Sequence, residues 1–157
     1  MPKNETHCAV WRDADGAPGY PVTILRDAGV NLARLKVWVD PADGFNDRDD
    51  VLAMARRAKA AGMRLLVDFH YSDTWADPGA QKVPAAWSSY TLGQLAGAVA
   101  AHTTDVLTAL KNQGTPADMV QVGNEINPGM LVPGGAASGS VSSWSNLGTL
   151  LRAGADA

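Results

Sequence analysis

Apolar positions recur along this chain at two alternating spacings, every second residue and then every third to fourth. Residues 31–39, N-L-A-R-L-K-V-W-V, set Ala33, Leu35, Val37 and Val39 on one face of a strand and Arg34, Lys36 and Trp38 on the other. Residues 63–70, M-R-L-L-V-D-F-H, repeat the alternation, with Leu65, Val67 and Phe69 opposed to Leu66, Asp68 and His70. A third strand is predicted over 118–124, running into Gly123 and then Asn124, Glu125 and Asn127. Helical spacing fills the gaps. Val51, Met54, Ala55 and Ala58 form a stripe within 48–61, closed by Gly62. Leu92, Leu95, Val99, Val106 and Leu110 follow a Thr91–Gln94 capping box and stop at Gly114. A short helix is predicted over 21–28, with Pro21 in its first turn and Gly29 past its end, and another begins at Trp144. Tyr71–Tyr90 and Asn127–Ser143 are left as long loops, a length that usually signals function or disorder.

Strand, helix, strand, helix in series predicts parallel strands joined by crossover helices. One face of these strands is apolar; the other carries Arg34, Lys36, Asp68, His70, Gln121 and Glu125. A doubly wound sheet has helices on both faces and favours near-continuous apolar strands. A polar face whose residues gather toward the strand ends fits the inside of a (β/α)8 TIM barrel, an α/β fold whose active sites open at that end. A complete barrel takes about 250 residues. The 157 residues here, with three clear strands and a remnant before them, are expected to be one incomplete barrel domain, roughly the first four βα units. Such a piece has open sheet edges and is expected to self-associate.

Composition narrows the class. Hydrophobic residues are 46% and charged residues 18%, as in a globular domain. No apolar run approaches the roughly 20 residues of a membrane-spanning helix, and M-P-K-N-E-T-H-C has no apolar segment of the signal-peptide kind. The net charge of −3 and the lack of a Lys/Arg cluster argue against nucleic acid as partner. The single cysteine, Cys8, can form no internal disulfide and lies far from any strand end. Five tryptophans against two phenylalanines is a stronger bias, because tryptophan also forms flat amphipathic platforms.

Glu125 is one of only two glutamates, the other being Glu5, and falls where barrel enzymes place catalytic groups. Polar, uncharged neighbours suit a carboxyl group that donates and accepts a proton; the alternative is a surface or helix-capping glutamate. The loop D-F-H-Y-S-D-T-W-A-D-P-G, 68–79, gathers three aspartates, a histidine and large aromatics at another strand end. Asp68, His70 and Asp73 have the spacing of a weak metal motif with no second cluster to complete it, so no cofactor is expected. Asp73 and Asp77 can also cap turns around Pro78-Gly79, a reading that suits Asp77 better than it suits Asp68 or His70. Trp38, Trp75 and Trp87 lie beside this loop, where exposed rings stack on sugars. Core packing is expected for Trp11 and Trp144, and Trp87 fits either role. There is no Gly-rich phosphate loop and no G-x-S-x-G. Glycoside hydrolysis requires two carboxyl groups, about 5–5.5 Å apart for retention and roughly 6.5–9.5 Å for inversion. Glu125 supplies one; Glu5, Asp40, Asp68 and Asp73 are the in-chain alternatives for the other, and spacing singles out none.

R-L-K-V-W-V-D-P (34–41), D-F-H-Y-S-D-T-W-A-D-P-G (68–79), V-G-N-E-I-N-P-G-M-L-V-P-G-G (122–135) and S-N-L-G-T-L-L (145–151) resemble, in that order, glycoside hydrolase family 53. These are the endo-β-1,4-galactanases that act on type I arabinogalactan. An Asn-Glu pair alone is common to a clan of barrel glycosidases; the 68–79 string joined to G-N-E-I-N is far more specific. The resemblance implies a retaining reaction with Glu125 as general acid/base on the fourth barrel strand. It implies that Asn124 hydrogen-bonds the sugar 2-hydroxyl, Arg34 organises the nucleophile, and His70 lines the site. Trp75 and Trp38 would meet substrate, with Asp68 and Asp73 shaping that wall. The nucleophile would be a glutamate on a seventh strand, beyond this chain, so the 157 residues alone are expected not to turn over. The implied partner is a polysaccharide, β-1,4-galactan of pectin side chains, met by a secreted and monomeric full-length protein, with no nucleic acid or membrane partner. Lys36 stands where an arginine is usual, and Val132 where a tryptophan is often found. Two other readings stay open: a same-clan mannanase or cellulase, and a non-catalytic carbohydrate-binding barrel.

Overall fold

Three apolar strands must pair their backbone groups, and in the computed structural model they pair with their neighbours in sequence. The structure describes residues 8–132 and 144–157. Strands β1 (Leu32–Val37), β2 (Arg64–Phe69) and β3 (Met119–Val122) form one parallel sheet in the order β1-β2-β3. The register sets Lys36 beside Asp68, and Asp68 beside Gln121. Side chains paired this way share a face, so the polar positions of all three strands collect on one side of the sheet.

Helices cover the other side. They are α1 (Pro21–Asp27), α2 (Arg48–Ala60), α3 (Leu92–Asn112) and α4 (Trp144–Ala155), with α2 and α3 as the crossovers between strands. Each start has a local cause. Pro21 opens α1, the Asp47 side chain accepts from the Asp50 N–H at the head of α2, and the Thr91–Gln94 capping box forms at the head of α3. Leu65, Val67 and Phe69 are wholly buried against Val51, Ala55 and Ala58 of α2 and Leu95, Val99, Val106 and Leu110 of α3, while Leu147 and Leu150 bring α4 into the same core. The two outer strands are less covered. Ala33 and Leu35 are only partly buried, and Met119 and Val120 remain 52% and 43% exposed.

The predicted elements therefore stand, with ends shorter by one or two residues. The expected strand remnant before β1 is an antiparallel bridge between Arg12 and Pro18; among the described residues no strand precedes β1. A 3-10 turn at Ala85–Trp87, not foreseen, tips Trp87 into the core. Trp144, expected in the core, is 74% exposed, because the buried stripe of α4 starts only at Leu147. Trp11 is half-buried. Glu5 and His7, and residues 133–143 of the predicted second loop, lie outside the described residues.

Beyond β2 the chain turns through Tyr71, whose φ of 50° is left-handed. This phenol is buried, its ring stacks on Phe69 at 5.5 Å, and its hydroxyl lies 2.8 Å from the Thr103 hydroxyl on α3. Burial pushes its pKa up to about 12, the Thr103 hydrogen bond opposing in part. Helix α4 docks over the same point at Gly154. A Cβ built there would stand 2.6 Å from Val122 and 2.8 Å from the Tyr71 hydroxyl. Tyr71 thus faces outward into a tight lock and holds its neighbour His70 inward. Also on α3, the His102 ring sits edge-on to Phe69, Tyr71 and Trp87, and its Nε2 has no hydrogen-bond partner among the described residues. Burial holds its pKa below the ordinary 6.5, Asp105 opposing in part.

Two outcomes follow from this packing. Gly154→Ala destabilises the fold by about 1–3 kcal/mol through overpacking at Val122 and Tyr71, read as a lowered urea midpoint. For His102 the folded state has the lower pKa, so the unfolded chain takes up the proton first as pH falls through 6.5. Its stabilising contribution is complete above that pH and declines below it. His102→Leu flattens the fall in unfolding free energy between pH 6.5 and pH 5 relative to the parent chain.

Candidate active site

Asp68 anchors the polar face. Its side chain is 1% exposed, and a carboxylate so far from water needs a partner. Oδ2 receives Arg34 Nη2 at 2.8 Å from β1 and lies 3.1 Å from His70 Nε2. His70 Nδ1 accepts the Ala76 N–H at 3.1 Å. An N–H aimed at Nδ1 requires a lone pair there, so the ring carries its proton on Nε2 and donates it to Asp68. Arg34 Nη2 also donates to Asn124 Oδ1 at 2.7 Å, and Asn124 Nδ2 donates to the Ala76 carbonyl at 2.7 Å. Gln121 Nε2 reaches Asn124 Oδ1 at 3.2 Å. Side chains from all three strands are joined around one buried charge.

The chain leaves β3 through a strained turn. Gly123 has a φ of +81°, and a Cβ there would fall 2.6 Å from Ile126 and 2.9 Å from the Met130 sulfur. Asn124 is buried, while Glu125 is exposed at a φ of 49°. Left-handed backbone is uncommon for a non-glycine residue and clusters at functional sites. The Glu125 carboxylate has no hydrogen bond or ion pair among the described residues. The backbone around it is held instead, because Gln81 Nε2 donates to the carbonyls of Asn124 at 2.8 Å and Glu125 at 3.3 Å. Val132 N–H in turn donates to the Gln81 carbonyl at 2.8 Å.

The remaining predicted residues separate by role. Trp75 is 44% exposed, with its ring edge-on to His70 at 5.1 Å; Trp38 meets His70 at 6.2 Å from the other strand end. Asp73 is a loop tie, one oxygen accepting the Asp40 N–H at 3.1 Å and the other the Ala85 N–H at 2.8 Å. Asp77 caps its own turn by accepting the Gly79 N–H at 2.7 Å, as the turn reading expected. The weak metal spacing of Asp68, His70 and Asp73 is thus taken up by hydrogen bonds. A cavity of about 510 Å³ touches Arg34, Lys36, Asp68 and Trp75 but continues past Leu32, Leu35, Val51 and Met63 and does not reach Glu125. It is the gap beside the unpaired edge of β1, and the hydrogen-bonded cluster marks the site better than that space does.

Sequence reasoning missed Gln81, which holds the turn at Glu125 from 43 residues away. A buried glutamine in a loop gives no periodic signal. The arrangement offers an exposed, uncommitted carboxyl group directly after the buried Asn124 amide, and a fixed imidazole flanked by two indoles. Such a set can exchange a proton with a polyhydroxylated ligand laid against aromatic faces.

A family model described as glycosyl hydrolase family 53 matches residues 1–157. A probable arabinogalactan endo-beta-1,4-galactanase A of Aspergillus terreus is 46% identical over 145 residues, which are 92% of this chain and 40% of that protein. An arabinogalactan endo-beta-1,4-galactanase of Thermothelomyces thermophilus is 44% identical over 145 residues, 92% of this chain and 42% of its own. Among solved structures, a fungal beta-1,4-galactanase superposes with a TM-score of 0.90 at 38% identity, covering 98% of this chain and 45% of that one. The catalytic domain of an Ignisphaera aggregans protein of the same family superposes at 0.87 with 36% identity, covering 99% and 44%. The chain thus spans about 40% of the length of the curated relatives it matches.

The pairing of buried Asp68 with half-exposed Arg34 generates a test of its own. Arg34→Met leaves the Asp68 charge with His70 alone and destabilises the chain by about 2–4 kcal/mol. Asp68→Asn removes that charge, so in a double-mutant cycle the two changes couple by more than about 1 kcal/mol, measured by urea unfolding.

Proposed function

We propose that this chain, which belongs to glycosyl hydrolase family 53, is part of an endo-acting retaining enzyme that cleaves β-1,4-galactan. The observation that carries the reading is the uncommitted Glu125 carboxyl group beside the Asp68–Arg34–Asn124 cluster, in a chain the family model matches from residue 1 to 157. The fold is the corresponding part of a TIM barrel, as the superpositions on two family 53 structures show. The 157 residues form one incomplete barrel domain.

In the proposed reaction Glu125 protonates the departing glycosidic oxygen and then, as its conjugate base, takes a proton from the water that releases the glycosyl intermediate. Its exposure keeps it in reach of substrate, and its neutral neighbours leave it free to gain and lose a proton. Arg34, held between Asp68 and Asn124, presents the rest of its guanidinium to the nucleophile. Asn124 has one amide hydrogen on Ala76 and offers the second to the sugar 2-hydroxyl. His70 and Asp68 line the site, Trp75 and Trp38 stack on sugar rings, and Asp73 shapes the wall by fixing the loop. Retention needs a second carboxyl group about 5–5.5 Å away, which we assign to the part of the barrel outside this chain. No cofactor takes part. A polymer from pectin side chains would be met outside the cell, where we place the full-length protein.

The intact protein containing this chain should shorten β-1,4-galactan from within, with viscosity falling faster than reducing ends accumulate. Glu125→Gln lowers kcat by about 10²–10⁴-fold, and the 157-residue chain by itself releases no oligosaccharides. Preferred cleavage of β-mannan or cellulose would refute the substrate, and full activity of Glu125→Gln would refute the role of Glu125.

A further inference from the structure

Arg34 and Lys36 of β1 both carry a cation on the inner face, and only Arg34 is paired with a carboxylate among the described residues. Arg34 meets Asp68, whereas Lys36 has no carboxylate partner among the described residues. Its ammonium lies instead 4.9 Å from the Trp75 ring centre and 5.4 Å from that of Trp38. Both distances are within cation–π range, and indole is the strongest such partner among the aromatic side chains. The two rings also meet the edge of His70, at 5.1 Å and 6.2 Å. His70 cannot swing, since Asp68 and the Ala76 N–H hold its two nitrogens. One fixed imidazole and one ammonium therefore grip both indoles.

The grip joins unlike parts of the fold. Lys36 and Trp38 belong to β1 and its end, whereas Trp75 sits in the loop after β2 and is 44% exposed. The backbone beside Trp75 is fixed through Ala76, whose N–H and carbonyl meet His70 and Asn124. Its side chain has no hydrogen bond among the described residues, so rings and charge alone set its orientation.

We propose that Lys36 is a positioning residue that holds Trp75 and Trp38 as a sugar-stacking platform. The identity of the sugar rests on the galactan reading; the clamp does not.

The test uses the intact enzyme labelled with fluorotryptophan, the resonances of Trp38 and Trp75 being assigned through Trp38→Phe and Trp75→Phe. Lys36→Met keeps the apolar stem and removes the charge. It should move or broaden both fluorine resonances and raise KM for β-1,4-galacto-oligosaccharides about three- to tenfold, with a much smaller change in kcat. Lys36→Arg, which retains a cation, should recover most of the KM. Unmoved resonances, an unchanged KM, or an arginine variant as impaired as the methionine variant would each overturn the proposal. If the parent enzyme cleaves no galactan, the substrate reading fails alone, because the resonances report the clamp without any sugar.

Discussion

A carboxylate cannot be taken from water into a protein wall without compensation, and Asp68 is where that constraint falls in this chain. Its burial demands a cation, and Arg34 supplies it diagonally from the neighbouring strand, two residues before the Lys36 that the register sets beside Asp68. Arg34, drawn inward, then reaches Asn124 on the far side of β2. His70 is fixed by the same oxygen, and through Ala76 it fixes the loop that carries Trp75. Three strands and one loop are thereby set by one desolvated charge. The apolar layer beneath would tolerate sliding of hydrophobic side chains, but a shift of register by one residue would send Asp68 into the helices.

The outer side of the sheet completes this by holding alternate residues the other way. Phe69 and Tyr71 point outward into α3 and α4, so Asp68 and His70 must point inward. The lock at Tyr71, Thr103 and Gly154 also uses the left-handed turn of Tyr71, which ends β2 and begins the loop. The turn after β3 has the same character. Gly123 and Glu125 are both left-handed, with buried Asn124 between them. Backbone of this kind persists only where its surroundings over-determine it. Gln81 and the Asn124 side chain supply that determination without touching the Glu125 carboxylate.

How much of this was legible in the sequence follows from the range of each signal. Alternation assigned Arg34, Asp68 and His70 to one face, because a strand has period two whatever surrounds it. The capping box at Thr91 and the stripe of α3 were equally local. The role of Gln81 depends on a loop closing over 43 residues, and the cation–π grip of Lys36 needs a strand and a loop in mutual position. Neither leaves a pattern in neighbouring letters. Asp73 was grouped with the site by its place in a motif, yet its oxygens meet backbone N–H groups, one at Asp40 after β1 and one at Ala85 further along its own loop. Trp144 failed differently. Its residue type and helical setting favoured burial, but it occupies the first position of α4, a turn before the buried stripe.

What the inner face leaves unsatisfied is less informative than what it joins. Asp68 Oδ1 and Trp38 Nε1 are buried without a hydrogen-bond partner among the described residues, and the exposed Glu125 carboxylate has none either. An unmade hydrogen bond at a buried polar atom costs about 1–3 kcal/mol. On the helix-facing side Tyr71 and Thr103 each have their hydroxyl bond, whereas the buried His102 Nε2 on α3 has none among the described residues. Open polar atoms therefore occur on both sides of the sheet, and what sets the inner face apart is the joining of Arg34, Asp68, His70 and Asn124 across three strands and a loop.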